Sequence, residues 1–344
     1  GHLDSVRNSD ELREAYNAML PEVTSFFSGI PLNGGLWKRI KAYADTEEAA
    51  TLTGSRARLL EETVKDFTRS GADLPDEKKA RLEEVQSELA RVTQKFSENV
   101  LDSTNAWELV LEDDSRLGGL PETALSVLRG EAAAEGLGAD ENPVYRITLK
   151  APVFVPVLEY ANDESLRREV WEGSITVGRG GDYDNTDLIR NILRLRQEKA
   201  EILGKDHFAD QVLEERMAGD GESALHFVED LADRTRPFFE REIEELAAFR
   251  REREPEWEGP FEPWDVAYWA EKMRKALHDF DEEEVRPYFA IGKVIDGMSR
   301  LTEEVFGFRS TKEARAWAKN SCALIDGDPE GVSKARDMAI PGAE

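Results

Sequence analysis

The residues best suited to metal or nucleophile chemistry are few. The four histidines are His2, His207, His226 and His278, and no two are four residues apart. A zinc helix of the His-Glu-x-x-His type needs two imidazoles one turn apart on one face, so no helix of this chain presents that pair. His226 has Glu229 and Asp230 close by in sequence, which makes one imidazole and a carboxylate on a helix face, too few ligands for a structural zinc. The single cysteine, Cys322, cannot form an internal disulfide, and its Asn320-Ser321-Cys322-Ala323 setting is that of an ordinary free thiol. No serine sits in a Gly-x-Ser-x-Gly elbow. Gly178-Arg179-Gly180 lacks the preceding strand and the following Lys-Ser/Thr of a phosphate loop, so it reads as a turn. Carboxylate pairs such as Asp113-Asp114 and Glu282-Glu283-Glu284 carry little information in a chain with 72 Asp and Glu. Solvated helix faces and helix starts account for them.

The 344 residues carry a formal charge of -27. That field repels phosphate backbones and anionic lipid, so neither nucleic acid nor a membrane is an expected partner. No apolar run reaches the ~20 residues of a bilayer span. Gly1-His2-Leu3-Asp4-Ser5 shows no basic region followed by an apolar stretch, which points to the cytoplasm.

The elements that would position any site are mostly amphipathic helices. After Leu74-Pro75-Asp76, apolar residues recur at Leu82, Val85, Leu89, Val92, Phe96 and Val100, one continuous stripe on a long helix that Asp73 or Asp76 can cap. Two short alternating segments, near 107–111 and 144–149, predict a small antiparallel pair. Between them Leu117-Gly118-Gly119-Leu120-Pro121-Glu122 is a turn into a short helix with Ala124, Leu125 and Leu128. The prolines of Ala151–Pro156 are expected to break the chain before a helix near 157–161, and Asp163 to cap the helix that carries Leu166, Val170 and Trp171. Asn185-Thr186-Asp187 is expected to cap a helix with Leu188, Ile189, Ile192, Leu195 and Ile202 on its apolar face. Gly204 ends that helix. A further helix runs from about Ser223 to Arg251 with Leu225, Val228, Leu231, Ile243 and Leu246. Pro237 should kink or divide it. Trp264, Tyr268 and Trp269 open another helix after a proline-containing loop.

The order of segments says more than any one motif. His2-Leu3-Asp4-Ser5-Val6-Arg7-Asn8-Ser9 with Glu11-Leu12-Arg13-Glu14-Ala15-Tyr16 resembles the thimet oligopeptidase / oligopeptidase A family of zinc metallopeptidases, peptidase family M3. In the family's order follow Asp66-Phe67, Ser70-Gly71-Ala72-Asp73-Leu74-Pro75, Phe96-Ser97-Glu98-Asn99-Val100-Leu101-Asp102 and Gly119-Leu120-Pro121. Then come Leu203-Gly204, Phe208-Ala209-Asp210, Arg216-Met217-Ala218, Pro263-Trp264-Asp265-Val266-Ala267-Tyr268 and Arg286-Pro287-Tyr288-Phe289. The resemblance covers roughly residues 2 to 308 and is to the front, N-terminal half only.

It implies a mainly α fold: the front half of a helical ellipsoid split by a peptide channel, with a small antiparallel β element. It divides the chain into an N-terminal helical region with the β element (1–182), a second helical region of the channel wall (183–308) and a divergent tail (309–344). Zinc belongs to the parent family, whose His-Glu-x-x-His has no counterpart here, so the chain itself is expected to hold no metal and to have no catalytic residues. It is expected to be a truncated form, inactive alone, that lines a channel for short peptides. Trp264, Tyr268 and Trp269 are the peptide-facing candidates, against the ordinary alternative that aromatic rings pack a core. A non-catalytic peptide- or protein-binding scaffold is the competing reading. Without a catalytic half, apolar surface at Trp264, Tyr268, Trp269, Val294, Ile295, Leu301 and Phe306 should be bare, covered by self-association, or covered by a tail face of Ala314, Trp317, Ala318, Cys322 and Leu324.

Overall fold

The stripe that starts at Leu82 becomes the buried face of one long helix in the structure, a computed structural model that describes residues 9–138, 143–279 and 282–307. The elements begin with α1 (Asp10–Leu32), α2 (Gly34–Ala44), α3 (Glu47–Ala50), α4 (Gly54–Arg69) and α5 (Asp76–Ala106). Next come β1 (Glu108–Leu111), α6 (Glu122–Ala134), β2 (Tyr145–Thr148), α7 (Ala151–Tyr160) and α8 (Glu164–Ile175). Then follow α9 (Thr186–Ile202), α10 (Phe208–Leu213), α11 (Gly221–Arg253), α12 (Val266–His278), α13 (Glu282–Val285) and α14 (Ile291–Phe306). Helix dominates, and β1 and β2 are one antiparallel pair with Glu108 opposite Thr148 and Leu111 opposite Tyr145. The tail face of Ala314, Trp317, Ala318, Cys322 and Leu324 lies outside the described residues.

Two compact units are each assembled from segments distant in sequence. One joins Gly1–Thr104 with Val177–Phe239, the other Asn105–Thr176 with Glu240–Glu344. In the first, α5 and α9 bury Val85, Val92, Ile192 and Leu195 against each other, with Leu89, Phe96, Leu188 and Ile202 at the seam. Each fully buried aliphatic side chain there contributes about 1.5–3 kcal/mol relative to exposure. Ile189 does not share this face: it is exposed, as is Leu193 one turn on. At the end of α9, Gly204 takes a positive φ, and Lys205 and Gly204 donate to the carbonyls of Ala200 and Glu201, closing a Schellman turn.

Asp73 does not cap α5. Its Oδ1 accepts 2.8 Å from Trp37 Nε1, and Trp37 stacks on Phe67, so the carboxylate anchors α2 instead. Asn185 does not cap α9 either. Its side chain is buried, accepting from Asn99 Nδ2 at 3.0 Å and donating to the Phe96 carbonyl, while Asp184 Oδ1 accepts the Thr186 N–H at 2.8 Å. A tertiary partner outbid the local one. The turn expected at Gly178–Gly181 is present, with positive φ at Gly178, Gly180 and Gly181, and Asn185 N–H closes it on the Gly178 carbonyl at 2.9 Å.

The second unit is built around Leu117, Leu120, Leu128, Tyr145, Ile147, Val153, Val157, Leu166 and Val170. Here the prolines behave differently from the sequence expectation. Helix α7 starts at Ala151, not near Val157, because Pro152 falls in the first turn, where no N–H has an intrahelical acceptor. Pro156 then costs one further backbone bond, and buried Val153 and Val157 hold the helix in place. Pro237 likewise does not divide α11, which is one helix from Gly221 to Arg253. The carbonyl it leaves without a donor lies in a stretch where every residue from Leu225 to Glu242 is exposed, so water can serve it. Leu225, Val228 and Leu231 are therefore not core residues, whereas Leu246 and Phe249 are. No helix of the described residues is long and apolar enough to cross a membrane.

Candidate functional site

The segment carrying the three aromatic candidates is held by a buried charge cluster. Pro263–Asp265 form a 3-10 turn that leads directly into α12. Asp265, 1% exposed, sits between two arginines: Arg167 Nη2 from α8 at 2.6 Å from Oδ1, and Arg250 Nη1 from α11 at 2.6 Å from Oδ2. Arg167, 2% exposed, also donates to the carbonyls of Ala161 (2.7 Å), Asn162 (3.2 Å) and Trp264 (3.3 Å). Burial alone would lower the Arg250 guanidinium, but Glu254 and Asp265 beside it hold it above its ordinary value. Every charge in the cluster is matched and hydrogen-bonded, which is the condition under which buried charges are tolerated. Groups committed in this way are structural: they fix where α12 begins.

Tyr268 is packed on the same cluster. The Arg167 guanidinium lies 4.0 Å from its ring centroid, and its hydroxyl donates to Asn162 Oδ1 at 2.9 Å. Asn162 N–H in turn donates to the Gly118 carbonyl at 2.7 Å. Gly119 has φ +98°, and a Cβ there would run into the Tyr160 carbonyl oxygen, so this turn needs glycine. Trp269, 3% exposed, packs edge-on against Phe249 and Tyr268, with its indole N–H unpartnered among the described residues. Trp264 is half-buried, edge-to-face with Trp171 at 5.5 Å and with the Arg168 guanidinium 5.1 Å from its ring. The structure thus brings all three aromatics into one neighbourhood but packs Tyr268 and Trp269 inside it, leaving Trp264 as the one with an open side. The residues that sequence reasoning missed here are Arg167 and Arg250, whose partner is remote in sequence and which no local pattern announces.

Of the surface expected to be bare or covered by self-association or the tail, Tyr268, Trp269 and Ile295 are buried, and Trp269 and Tyr268 join Leu246 and Phe249 in a core of their own. Val294, Leu301 and Phe306 of α14 are exposed, together with Met298 and Val305.

Among the described residues no three His, Cys, Asp or Glu side chains are grouped so as to hold a metal ion. His207 precedes α10, His226 lies in α11 and His278 ends α12. Together with the absence of His-Glu-x-x-His from the sequence, this donor set does not fit the family's zinc site.

A helical chain with one small β pair, the motif order given above and this aromatic-capped helix start together define a class. The family model described as "Peptidase family M3" matches residues 157–334, and that described as "Neurolysin/Thimet oligopeptidase, N-terminal domain" matches residues 1–79; the chain belongs to peptidase family M3. Among curated proteins it is similar to oligopeptidase A of Escherichia coli (strain K12), 33% identical over 323 residues, covering 92% of this chain and 46% of that protein. It is also 33% identical over 308 residues to organellar oligopeptidase A, chloroplastic/mitochondrial, of Arabidopsis thaliana, covering 89% of this chain and 39% of that one. With dipeptidyl carboxypeptidase of Escherichia coli (strain K12) it shares 28% identity over 311 residues, 89% of this chain and 44% of that one. The chain spans about half the length of the curated relatives it matches.

Proposed function

We propose that this chain is the helical, metal-free half of an oligopeptidase A-like zinc metallopeptidase: it contributes one wall of a peptide-binding channel and no metal ligand. One observation carries the reading. Similarity to oligopeptidase A runs through 92% of this chain yet accounts for 46% of the relative, and the chain's sequence contains no His-Glu-x-x-His. The zinc ligands, the general base and the oxyanion donors of such an enzyme then belong to a partner half. Exposed apolar residues support a seat for it on this chain: Leu225, Val228 and Leu231 on α11, and Met298, Leu301 and Val305 on α14. Contiguous apolar surface of this kind marks an interaction site on a folded protein. The reading places the work in the cytoplasm, in line with the printed name of one relative, "Probable cytosolic oligopeptidase A" of Arabidopsis thaliana.

The test is a quenched fluorescent peptide assay on the purified chain, with and without added zinc, repeated after mixing with a separately produced His-Glu-x-x-His half of oligopeptidase A. The reading expects no turnover by the chain alone and chelator-sensitive turnover in the mixture. Zinc-dependent turnover by the chain alone overturns it. The same exposed faces favour a second reading, a scaffold that binds peptides or a protein without any cleavage. Calorimetric binding of the partner half with no turnover in the mixture would select that one.

A further inference from the structure

Helix α1 meets α5 through polar side chains rather than an apolar seam. Arg13 Nη1 pairs with Asp102 at 2.8 Å, Asn17 Nδ2 donates to Glu98 Oε1 at 2.7 Å, and Ser25 Oγ donates to Glu83 at 2.9 Å. Met19, Val23, Phe26 and Phe27 of α1 are exposed. Between the polar pairs the two helices stand apart and enclose a cavity of about 300 Å³, lined by Asn17, Pro21, Arg91, Gln94, Lys95 and Glu98 among others. That volume is at the lower end for small-molecule sites.

The wall of this cavity is bipolar. At one end is the Glu98 carboxylate, 7% exposed, whose Oε1 accepts from both Asn17 Nδ2 and Gln94 Nε2 (3.2 Å), leaving Oε2 with no hydrogen bond among the described residues. At the other end is Arg91, about two turns or ~10 Å before Glu98 on the same face of α5. Lys95 lies between them. Arg91 and Lys95 are exposed and form no ion pair among the described residues, in a chain where acids outnumber bases 72 to 45. Like charges one turn apart on a helix repel, so an anion between them is favoured. An extended peptide of three residues spans about 10 Å.

We infer that the α1–α5 cavity binds short peptides of three or four residues by their two free ends, the ammonium on Glu98, the terminal carboxylate on Arg91 and Lys95. The site is independent of the reading above, since it needs neither zinc nor a partner half. Side chains of the peptide face Leu20 and Ala90, which accept small apolar groups.

The experiment is isothermal titration of the full chain with tri-alanine, N-acetyl-tri-alanine and tri-alanine amide. Saturable one-to-one binding of tri-alanine is expected, with each cap weakening it at least ~10-fold, as loss of a charge-assisted hydrogen bond requires. The double variant Arg91→Ala, Lys95→Ala should remove the discrimination against the amide, and Glu98→Gln the discrimination against the acetylated peptide. Arg91 and Lys95 are exposed, so their double variant decides the matter even if Glu98→Gln fails to fold. No saturable binding overturns the inference, and so does equal binding of free and capped peptides or an Arg91→Ala, Lys95→Ala variant that still discriminates.

Discussion

At the scale of single residues, Asp265 is the most consequential side chain in the structure. It pairs with two arginines that are themselves buried, and removing its charge leaves Arg167 with no carboxylate partner and Arg250 with only the part-exposed Glu254 and Glu164. Asp265→Asn should therefore cost about 3–5 kcal/mol in urea denaturation, the range for breaking a buried ion pair from one side. A loss under ~1 kcal/mol would mean that water reaches the cluster. Asp163 makes a gentler case with a defined pH dependence. Burial raises its carboxyl, but Ser165, the Leu166 N–H and Arg116 outweigh that and hold it below the ordinary 3.8. A depressed folded-state pKa means stability that is present above the unfolded value and lost as pH falls through the folded one. Asn keeps the N-cap acceptor, so Asp163→Asn should lose only the partly exposed ion pair with Arg116, up to about 1 kcal/mol at pH 7, with the gap closing as pH drops below 3.8. Denaturation curves at neutral and acid pH check this, and a gap that widens in acid would contradict the assignment. Residues of this kind divide by legibility. Asp163 was readable, because a cap acts on its own helix start. The Arg167–Asp265–Arg250 cluster was not, because its members are brought together only by the fold, and Asn185 was misread for the same reason: its local capping role lost to Asn99.

Elements were legible wherever one face is buried along its whole length. The Leu82-to-Val100 stripe of α5 reads directly as a helix face, and the alternation near 107–111 and 144–149 as the β pair. Prolines were over-read. Pro152 starts α7 and Pro237 lies in an exposed stretch of α11, and in neither place does a missing N–H cost enough to end a helix. The apolar face of α11 from Leu225 to Phe238 shows the limit of periodicity: the pattern says that a face is to be covered, not by what. Replacing Val228 and Leu231 by lysine should leave the chain's own stability within about 0.5 kcal/mol, as for exposed positions, while lowering any self-association seen by sedimentation. A loss above ~2 kcal/mol would show that this face is already packed. Gly119→Ala tests the opposite kind of position. Its positive φ and the nearby Tyr160 carbonyl predict marked destabilisation of the turn that supports Asn162 and Tyr268, well beyond the ~1 kcal/mol of a simple left-handed strain.

For the whole molecule, belonging to peptidase family M3 and carrying its zinc site are separate matters, and this chain has the first without the sequence motif of the second. The motif order made the family readable from sequence, since it depends on many weak matches in series. What the α14 and α11 faces meet could not be read from the sequence, because periodicity marks an apolar face and not what covers it. The most direct measurement is zinc content by equilibrium dialysis and metal analysis, combined with hydrolysis of a quenched fluorescent peptide by the same purified chain. The account predicts no tightly held zinc and no chelator-sensitive hydrolysis. One zinc per chain, with cleavage that a chelator abolishes and zinc restores, would contradict it.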